Sequence, residues 1–217
     1  MTTGEDWEAS QHYELIYWRD HWPLRDLPVE EIRRQRFDAA IWFLEAMGFP
    51  REDAEARRFR GFGGRVLEVG CGPIGFFDLV EGIECDAMDS LMAAYAREIP
   101  WARLGRSGSV TYMAAGRLEE VAGAYDHVVC SNVLDHTGDW RAFLRQLCQV
   151  ALRQAGGRLL LYTHTRGAPL PGHTQVFTPG EVLDAVQAEG LRVVERAIAR
   201  PCPPHAEHEL FIRATAG

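Results

Sequence analysis

Three glycines that follow a short apolar run are the first residues whose spacing points to ligand chemistry. After the run Arg65–Val69 come glycines with the G-x-G-x-x-G spacing, namely Gly70, Gly72 and Gly75. Glycines at such positions let the chain turn sharply and let a ligand approach the backbone with no Cβ in the way. Cys71 is interpreted as a small residue that fits between two of them. The spacing alone is compatible with a dinucleotide and with other nucleoside cofactors.

Glu68 separates these cofactors by charge. It lies two residues before Gly70, where the pyrophosphate of a dinucleotide would pass close by and be repelled by a carboxylate. S-adenosylmethionine instead carries an ammonium and a sulfonium, which a carboxylate attracts. The link from Gly75 to the next apolar run leaves only about two helical turns, which is short for a dinucleotide-binding unit. The alternative is that Glu68 is a solvated charge at the end of a strand.

Asp89 lies about twenty residues beyond the first glycine, which is the position of a ribose-binding acid in doubly wound folds. It follows the apolar run Ile83–Met88. A carboxylate has two acceptor oxygens and can bind both ribose hydroxyls. Asp86 is a competitor, but strand alternation places it towards the surface. We therefore assign Asp89, together with the adjacent Ser90, to cofactor binding.

His136 is the first candidate for moving a proton. It closes the segment Ser131-Asn-Val-Leu-Asp-His136, which follows the apolar run Tyr125–Cys130. Histidine titrates near neutral pH, and the neighbouring Asp135 is placed to orient or polarise it. The alternative is a histidine used for packing or helix capping. Ser131 and Asn132 are predicted to lie near the cofactor or the acceptor, although Asn132 could instead stabilise a turn.

Two further histidines are expected at the same edge of the sheet. His164 directly follows the apolar run Gly157–Thr163, and His173 lies in the loop after it. Both should open onto the same face as His136. His164 is included among the catalytic candidates, and His173 and Tyr162 among those that bind substrate. A divalent metal and a plain surface loop are the alternatives; the spacing is not a recognised metal motif, so no metal is predicted.

These residues must be positioned by strands that alternate with helices. Such alternation predicts an α/β fold with a Rossmann-like, doubly wound sheet. The last two of seven predicted strands have no helix between them and should pair antiparallel. The predicted strands are Arg65–Val69, Ile83–Met88, Val110–Ala114, Tyr125–Cys130, Gly157–Thr163, Leu191–Ile198 and Glu209–Thr215. The predicted helices are Leu91–Arg97, Asp139–Arg153 and Pro179–Glu189.

Residues 1–60 are predicted to form a helical extension ahead of the domain at residues 61–217. Apolar residues recur at near-helical spacing, prolines at positions 23 and 28 interrupt the pattern, and Gly48 ends a second helix. The extension either packs on a sheet edge or dimer face, or forms a lid that brings Tyr13, Tyr17 and Trp18 to a substrate.

Composition limits the classes of protein that this chain can belong to. Of its 217 residues 47% are hydrophobic and 25% charged, which is typical of a globular protein. The net charge is −8 and all 23 basic residues are arginine, so a nucleic-acid-binding surface is not predicted. The five cysteines contain no CxxC pair, and no signal peptide or membrane span is evident, which favours the cytoplasm.

Over residues 61–217 the chain resembles class I S-adenosylmethionine-dependent methyltransferases. The resemblance rests on LEVGCGPIG at the first strand, Asp89 after the second, YDHVVCSNVLDH around the fourth and AGGRLLLYTH at the fifth. Cys-Gly-Pro-x-Gly, Asp-x-Leu-x-x-x-Tyr and Asn-x-Leu-Asp-His together resemble small-molecule O-methyltransferases, whose bacterial members act on sugars or secondary metabolites. The resemblance implies S-adenosylmethionine as cofactor and a small hydroxylated molecule as acceptor.

The chain departs from this family after the third strand. Such families often carry an acidic residue there that binds the adenine amino group, whereas the matching stretch here is Ala115-Gly-Arg-Leu118. Adenine is therefore expected to be held by backbone groups around Gly116 and Arg117 and by the side chain of Leu118.

Other functions remain open at this point. A nicotinamide-dependent oxidoreductase would explain the glycines and Asp89 but not Glu68. A cofactor-binding module without catalysis is a second alternative. A nucleic-acid methyltransferase is not predicted, because no Asn/Asp-Pro-Pro-aromatic motif follows the fourth strand. A protein substrate and a homodimer both remain possible outcomes.

Overall fold

The computed structural model describes residues 4–102, 105–113, 117–198 and 208–217. The helices in these residues are α1 Gly4–Ile16, α2 Val29–Ala46, α3 Met92–Glu98, α4 Trp140–Ala151 and α5 Pro179–Ala188. The strands are β1 Gly64–Val69, β2 Ile83–Met88, β3 Gly105–Ser107, β4 Val110–Met113, β5 His127–Ser131, β6 Arg158–Thr165, β7 Arg192–Ile198 and β8 His208–Thr215. The chain divides into two units, residues 15–121 and residues 1–14 with 122–217.

The unit of residues 15–121 contains four strands in the order β3-β4-β2-β1. β1, β2 and β4 run parallel, and β3 pairs antiparallel with β4. The last four residues of β1 are buried, as expected of a strand covered on both faces. Helix α2 buries Ile32, Ala40, Phe43 and Leu44. It ends before Gly48, whose φ of 79° is the left-handed conformation that a helix stop requires.

The unit of residues 1–14 and 122–217 contains strands in the order β5-β6-β8-β7. β5 and β6 are parallel, and β8 lies antiparallel between β6 and β7. Helix α4 begins at Asp139, whose carboxylate accepts the N–H groups of Arg141 and Ala142. Helix α5 begins with a capping box formed by Thr178 and Glu181.

The predicted α/β fold with antiparallel last strands is confirmed. Each predicted strand and helix beyond residue 61 occurs, with ends that differ by at most two residues over the described part of the chain. The described residues contain eight strands instead of the predicted seven, because the sequence does not predict β3. This three-residue strand has no apolar run and is defined by backbone pairing with β4. The link after Gly75 contains a single 3-10 turn, Phe77–Leu79.

Candidate cofactor and acceptor sites

The glycine loop after β1 is fastened to the end of the neighbouring strand. The N–H groups of Gly70 and Cys71 both donate to the carbonyl of Met88, at 2.8 and 3.2 Å. Gly70 and Gly72 have φ values of 73° and 66°, which side chains with a Cβ rarely adopt. The loop therefore presents bare backbone at the carboxyl end of β1, where doubly wound folds bind ligands.

Asp89 supports this loop from the end of β2. Its carboxylate accepts the Gly72 N–H at 3.0 Å and the Leu91 N–H at 2.9 Å. Each oxygen keeps a second acceptor site, so two ribose hydroxyls can still be bound. Burial raises the pKa of Asp89, against the effect of the two N–H donors. Asp86 instead lies partly exposed in an ion pair with Arg65 at 3.3 Å.

Glu68 is buried at the base of the same loop. Its Oε1 accepts the Phe76 N–H at 2.9 Å, and its Oε2 has no hydrogen-bond partner among the described residues. A Cβ at Gly75 would collide with this carboxylate, so a larger residue there would displace the Glu68 side chain. Burial raises the pKa of Glu68 to about 7, although the nearby charge of Arg36 lowers it.

Arg36 is a residue of this site that sequence reasoning missed. Its guanidinium lies 4.2 Å from the ring centre of Phe76 and 5.7 Å from that of Trp18. Nη2 donates to the carbonyl of Cys71 at 3.4 Å, whereas the buried Nε has no partner among the described residues. Its sequence signal is a charge at the helical spacing of the buried Ile32.

The donor set at this loop fits the amino-acid end of S-adenosylmethionine. That end carries an ammonium and a carboxylate. Glu68 offers an unpartnered buried acceptor and Arg36 an unpartnered buried donor. Because unpaired buried polar groups cost about 1–3 kcal/mol each, a ligand of this kind would relieve both.

Trp18 packs directly on the glycine loop. Its Cζ2 lies 3.0 Å from the position that a Cβ at Gly72 would take. It belongs to a π-helical turn, Tyr17–His21, a rare conformation that is frequent at functional sites. Its ring lies 4.9 Å from that of Trp22, which lies 4.8 Å from Trp101. Tyr17 contacts Trp18 edge-on at 5.7 Å.

In the unit that contains β5 and β6, Asp135 is the centre of a polar cluster. The carboxylate of this buried residue lies 2.7 Å from His173 Nδ1, 3.6 Å from Arg166 Nε and 3.8 Å from His136 Nε2. The rings of His136 and His173 are 4.2 Å apart. Burial alone would raise the pKa of Asp135; the hydrogen bond from His173 and the surrounding positive charge lower it instead. Asp135 thus orients His173 by a hydrogen bond, rather than His136.

His136 is a neutral imidazole between two carboxylates. Burial lowers its pKa to about 4, although Asp135 opposes this effect. Its Nδ1 is buried, without a hydrogen-bond partner among the described residues, and lies 3.8 Å from Glu14 Oε2. The carboxylate of Asp135 favours a proton on this ring, but burial outweighs it, so the ring is uncharged at neutral pH.

The predicted pair on β6 shares one face, as strand alternation requires. The hydroxyl of Tyr162 lies 3.0 Å from His164 Nε2 and donates to Glu209 Oε1 at 2.9 Å. Burial lowers the pKa of His164. Glu209 was not predicted from the sequence, because only the pairing of β6 with β8 brings it opposite His164.

The loop after β5 begins with a strained asparagine. Asn132 has a φ of 56°, the only positive value of a non-glycine residue in the described part of the chain. Its N–H donates to the carbonyl of Tyr162 at 2.8 Å, and its buried Oδ1 has no partner there. Such strain is often found at functional sites. Ser131, which ends β5, is half-buried.

The other predicted residues fall in several places. Tyr13 packs on Gly172, whose carbonyl accepts the Ser10 hydroxyl at 3.0 Å, so helix α1 covers the loop after β6. Leu118 is buried and Arg117 is exposed. Gly116 lies outside the described residues, and Ser90 is exposed.

One group of side chains has the donors of a metal site. The ligand atoms of Asp135, His136 and His173 lie within 4.8 Å of one another. However, the buried guanidinium of Arg166 is 3.6 Å from the same carboxylate. A cation would have to share that carboxylate with a second positive charge, so this group of side chains is unfavourable for a metal ion.

Comparison with known proteins identifies the class of this chain. A family model described as a methyltransferase domain matches residues 32–196. The chain therefore belongs to this methyltransferase family, of the class I type that uses S-adenosylmethionine. Membership decides between the cofactor classes that the glycine spacing left open, in favour of S-adenosylmethionine over a nicotinamide dinucleotide. No curated protein matches the sequence.

Several solved structures share the fold. The N-methyltransferase NodS from Bradyrhizobium japonicum WM9, in complex with S-adenosyl-L-homocysteine, is 19% identical, with a TM-score of 0.60 over 97% of this chain and 98% of its own. The 1,6-didemethyltoxoflavin-N1-methyltransferase from Burkholderia thailandensis is 17% identical, with a TM-score of 0.60 over 100% and 91%. The magnesium protoporphyrin IX methyltransferase from Synechocystis PCC 6803 is 18% identical, with a TM-score of 0.58 over 98% and 94%.

The helices were also compared with the length and polarity of membrane spans. No helix among the described residues is both long and apolar enough to cross a bilayer.

Proposed function

We propose that this methyltransferase transfers its methyl group to a hydroxyl oxygen of a small molecule, with His136 as the proton acceptor. The observation that carries the proposal is the neutral, half-buried imidazole of His136 with a carboxylate 3.8 Å from each ring nitrogen. Such a ring can accept a proton, and the carboxylate of Asp135 partly offsets the cost of the imidazolium that forms.

On the cofactor side, the residues of the glycine loop bind and orient. Asp89 would accept the ribose hydroxyls, Glu68 the ammonium, and Arg36 would donate to the carboxylate. S-adenosylmethionine supplies a methyl carbon already activated by its sulfonium. The protein must therefore align the groups and remove a proton.

The reaction balances with His136 as its only proton acceptor. An oxygen lone pair of the acceptor forms the new bond to the methyl carbon. The bond between that carbon and sulfur breaks with its electron pair going to sulfur, and the hydroxyl proton goes to His136. His173, held by Asp135, and His164 are proposed to bind the acceptor.

A nitrogen acceptor is the second candidate. Two structural neighbours are N-methyltransferases, which favours this candidate. An uncharged amine can attack without a base, whereas a hydroxyl gains most from one. The neutral imidazole of His136 favours oxygen.

The test is methyl transfer from S-adenosylmethionine labelled with carbon-13 in its methyl group. The acceptors are a panel of sugars, catechols and phenolic metabolites, together with matched amines. The chemical shift of the product methyl distinguishes oxygen from nitrogen. His136→Asn should lower turnover about 10²–10⁴-fold while the affinity for S-adenosylhomocysteine stays unchanged.

His12→Asn, at an exposed position of α1, is the matched control and should keep full turnover. Transfer to amines alone would overturn the choice of oxygen. Full turnover in His136→Asn would remove the base assignment.

A further inference from the structure

The antiparallel pair β6 and β8 builds a three-residue chain of hydrogen bonds on one face. His164 is the direct partner of Glu209, and Tyr162 that of Phe211. Residues two apart on a strand share a face, so these four side chains lie together. The rings of Tyr162 and Phe211 pack at 4.7 Å, which fixes the position of the tyrosine hydroxyl.

The directions of these bonds determine which nitrogen of His164 carries the proton. Tyr162 has one hydroxyl proton, which it donates to Glu209 at 2.9 Å. An ionised carboxylate only accepts, so this proton is committed. His164 Nε2, 3.0 Å from the same hydroxyl, must therefore donate to the tyrosine oxygen. A neutral imidazole has one N–H, so His164 Nδ1 is left as an unprotonated acceptor.

This acceptor is buried and unused. His164 Nδ1 has no hydrogen-bond partner among the described residues, and neither has Asp135 Oδ1. The charged and titratable groups that act on His164 are Asp135, Arg166, His173 and Glu209, besides its hydrogen-bond partner Tyr162. Unpaired buried acceptors are costly, and they are satisfied by a ligand that brings donors.

We infer that His164 is a second substrate-binding acceptor, held in its Nε2–H form by Tyr162 and Glu209, and that the substrate carries a second hydroxyl that donates to His164 Nδ1. The substrate class is thus a polyol or a catechol, with at least two hydroxyl groups. Tyr162 and Glu209 are positioning residues, because they act through His164. This inference rests on the proposed function and deepens it.

The first arm of the test uses the ligand-free full-length protein and needs no activity. Nitrogen-15 NMR of the histidine rings, with His164 assigned through its loss in His164→Asn, should show the Nε2–H form. Glu209→Gln keeps an acceptor for Tyr162 but removes the charge that raises the pKa of His164, so this pKa should fall. Glu195→Gln, on the neighbouring strand β7, is the control and should not change it. A proton on Nδ1, or an unchanged pKa in Glu209→Gln, would overturn the inference.

The second arm measures kinetics with an acceptor found in the methyl-transfer assay. Tyr162→Phe and His164→Leu should each raise the KM of the acceptor about tenfold and leave the Kd of S-adenosylhomocysteine unchanged. His164→Asn retains a side-chain oxygen near the position of Nδ1 and should restore part of the affinity. An analogue that lacks the second hydroxyl should raise KM in the wild type but cause no further rise in His164→Leu.

The outcomes separate this inference from the proposed function. If removal of the second hydroxyl raises KM as much in His164→Leu as in the wild type, His164 does not bind that hydroxyl and the inference is wrong. If a compound with a single hydroxyl is methylated as well as a diol, the inference fails while the proposed function stands. If only amines are methylated, the proposed function fails, and the inference for hydroxyls fails with it.

Discussion

Asp89 shows how one side chain can shape a loop and remain available for a ligand. It holds the glycine loop through Gly72 and the start of the next helix through Leu91. Asp86, three residues earlier, instead forms an ion pair with Arg65. Asp86 is therefore a suitable control position for a substitution at Asp89.

Asp89→Ala should weaken binding of S-adenosylhomocysteine about tenfold to a hundredfold, because hydrogen bonds to a charged group are lost. Calorimetric titration measures this directly. Asp86→Ala should leave the affinity unchanged. Equal losses in the two variants, or no loss in Asp89→Ala, would contradict the ribose assignment.

Glu68 predicts a pH dependence of stability with a definite sign. Its pKa is raised from 4.5 to about 7 in the folded protein. The folded state thus binds more protons than the unfolded state between these values, and the free energy of unfolding falls as pH rises through this window. Ionisation of Glu68 lowers the free energy of unfolding by about 3 kcal/mol between a pH below 4.5 and a pH above 7.

Glu68→Gln removes this dependence, so its free energy of unfolding should rise relative to the wild type as pH increases from 4.5 to 8. Urea unfolding at several pH values measures the difference between the two proteins.

This comparison cancels the opposite contribution of His136, whose lowered pKa makes the wild type lose stability as pH falls from 6.5 towards about 4. Glu84→Gln, at an exposed position of β2, should follow the wild type. A constant difference for Glu68→Gln would contradict the burial argument.

Among the elements of the fold, the π-helical turn Tyr17–His21 places the indole of Trp18 on the glycine loop. Trp18 contacts the bare backbone of Gly72 and lies beside the guanidinium of Arg36. The sequence left open whether this segment is packing or a lid. Because Trp18 lies against Gly72, we propose that this segment takes part in cofactor binding.

Trp18→Ala should therefore weaken binding of S-adenosylhomocysteine about fivefold to tenfold, since an aromatic contact beside the ligand is lost. Fluorescence or calorimetric titration gives the affinity. Trp42→Ala, at an exposed position of α2, should bind as the wild type does. Tighter binding in Trp18→Ala would instead mean that the indole blocks the cofactor site.

The elements were largely predictable because periodicity and glycine spacing are local signals. The glycine loop, Asp89 and the pair Tyr162 and His164 were all named from the sequence. Arg36 and Glu209 were missed because their roles arise from tertiary packing: α2 must lie on the loop, and β8 must pair with β6. Strand β3 was missed because backbone pairing alone defines it.

At the scale of the whole molecule, family membership and site chemistry agree. The family model covers both the glycine loop and the cluster around Asp135. The acidic balance of −8 fits a small, uncharged or cationic acceptor better than a polyanion. Because fold alone does not determine the acceptor, the histidine cluster is the feature that bears on the choice of substrate.

The most direct test of the central claim is calorimetric titration of the wild-type protein with S-adenosylhomocysteine, and with NAD⁺ and NADP⁺ in parallel. We expect saturable binding of S-adenosylhomocysteine and no binding of either dinucleotide, because Glu68 attracts a cationic amino-acid end and repels a pyrophosphate. Binding of a dinucleotide without binding of S-adenosylhomocysteine would contradict the account of the glycine loop.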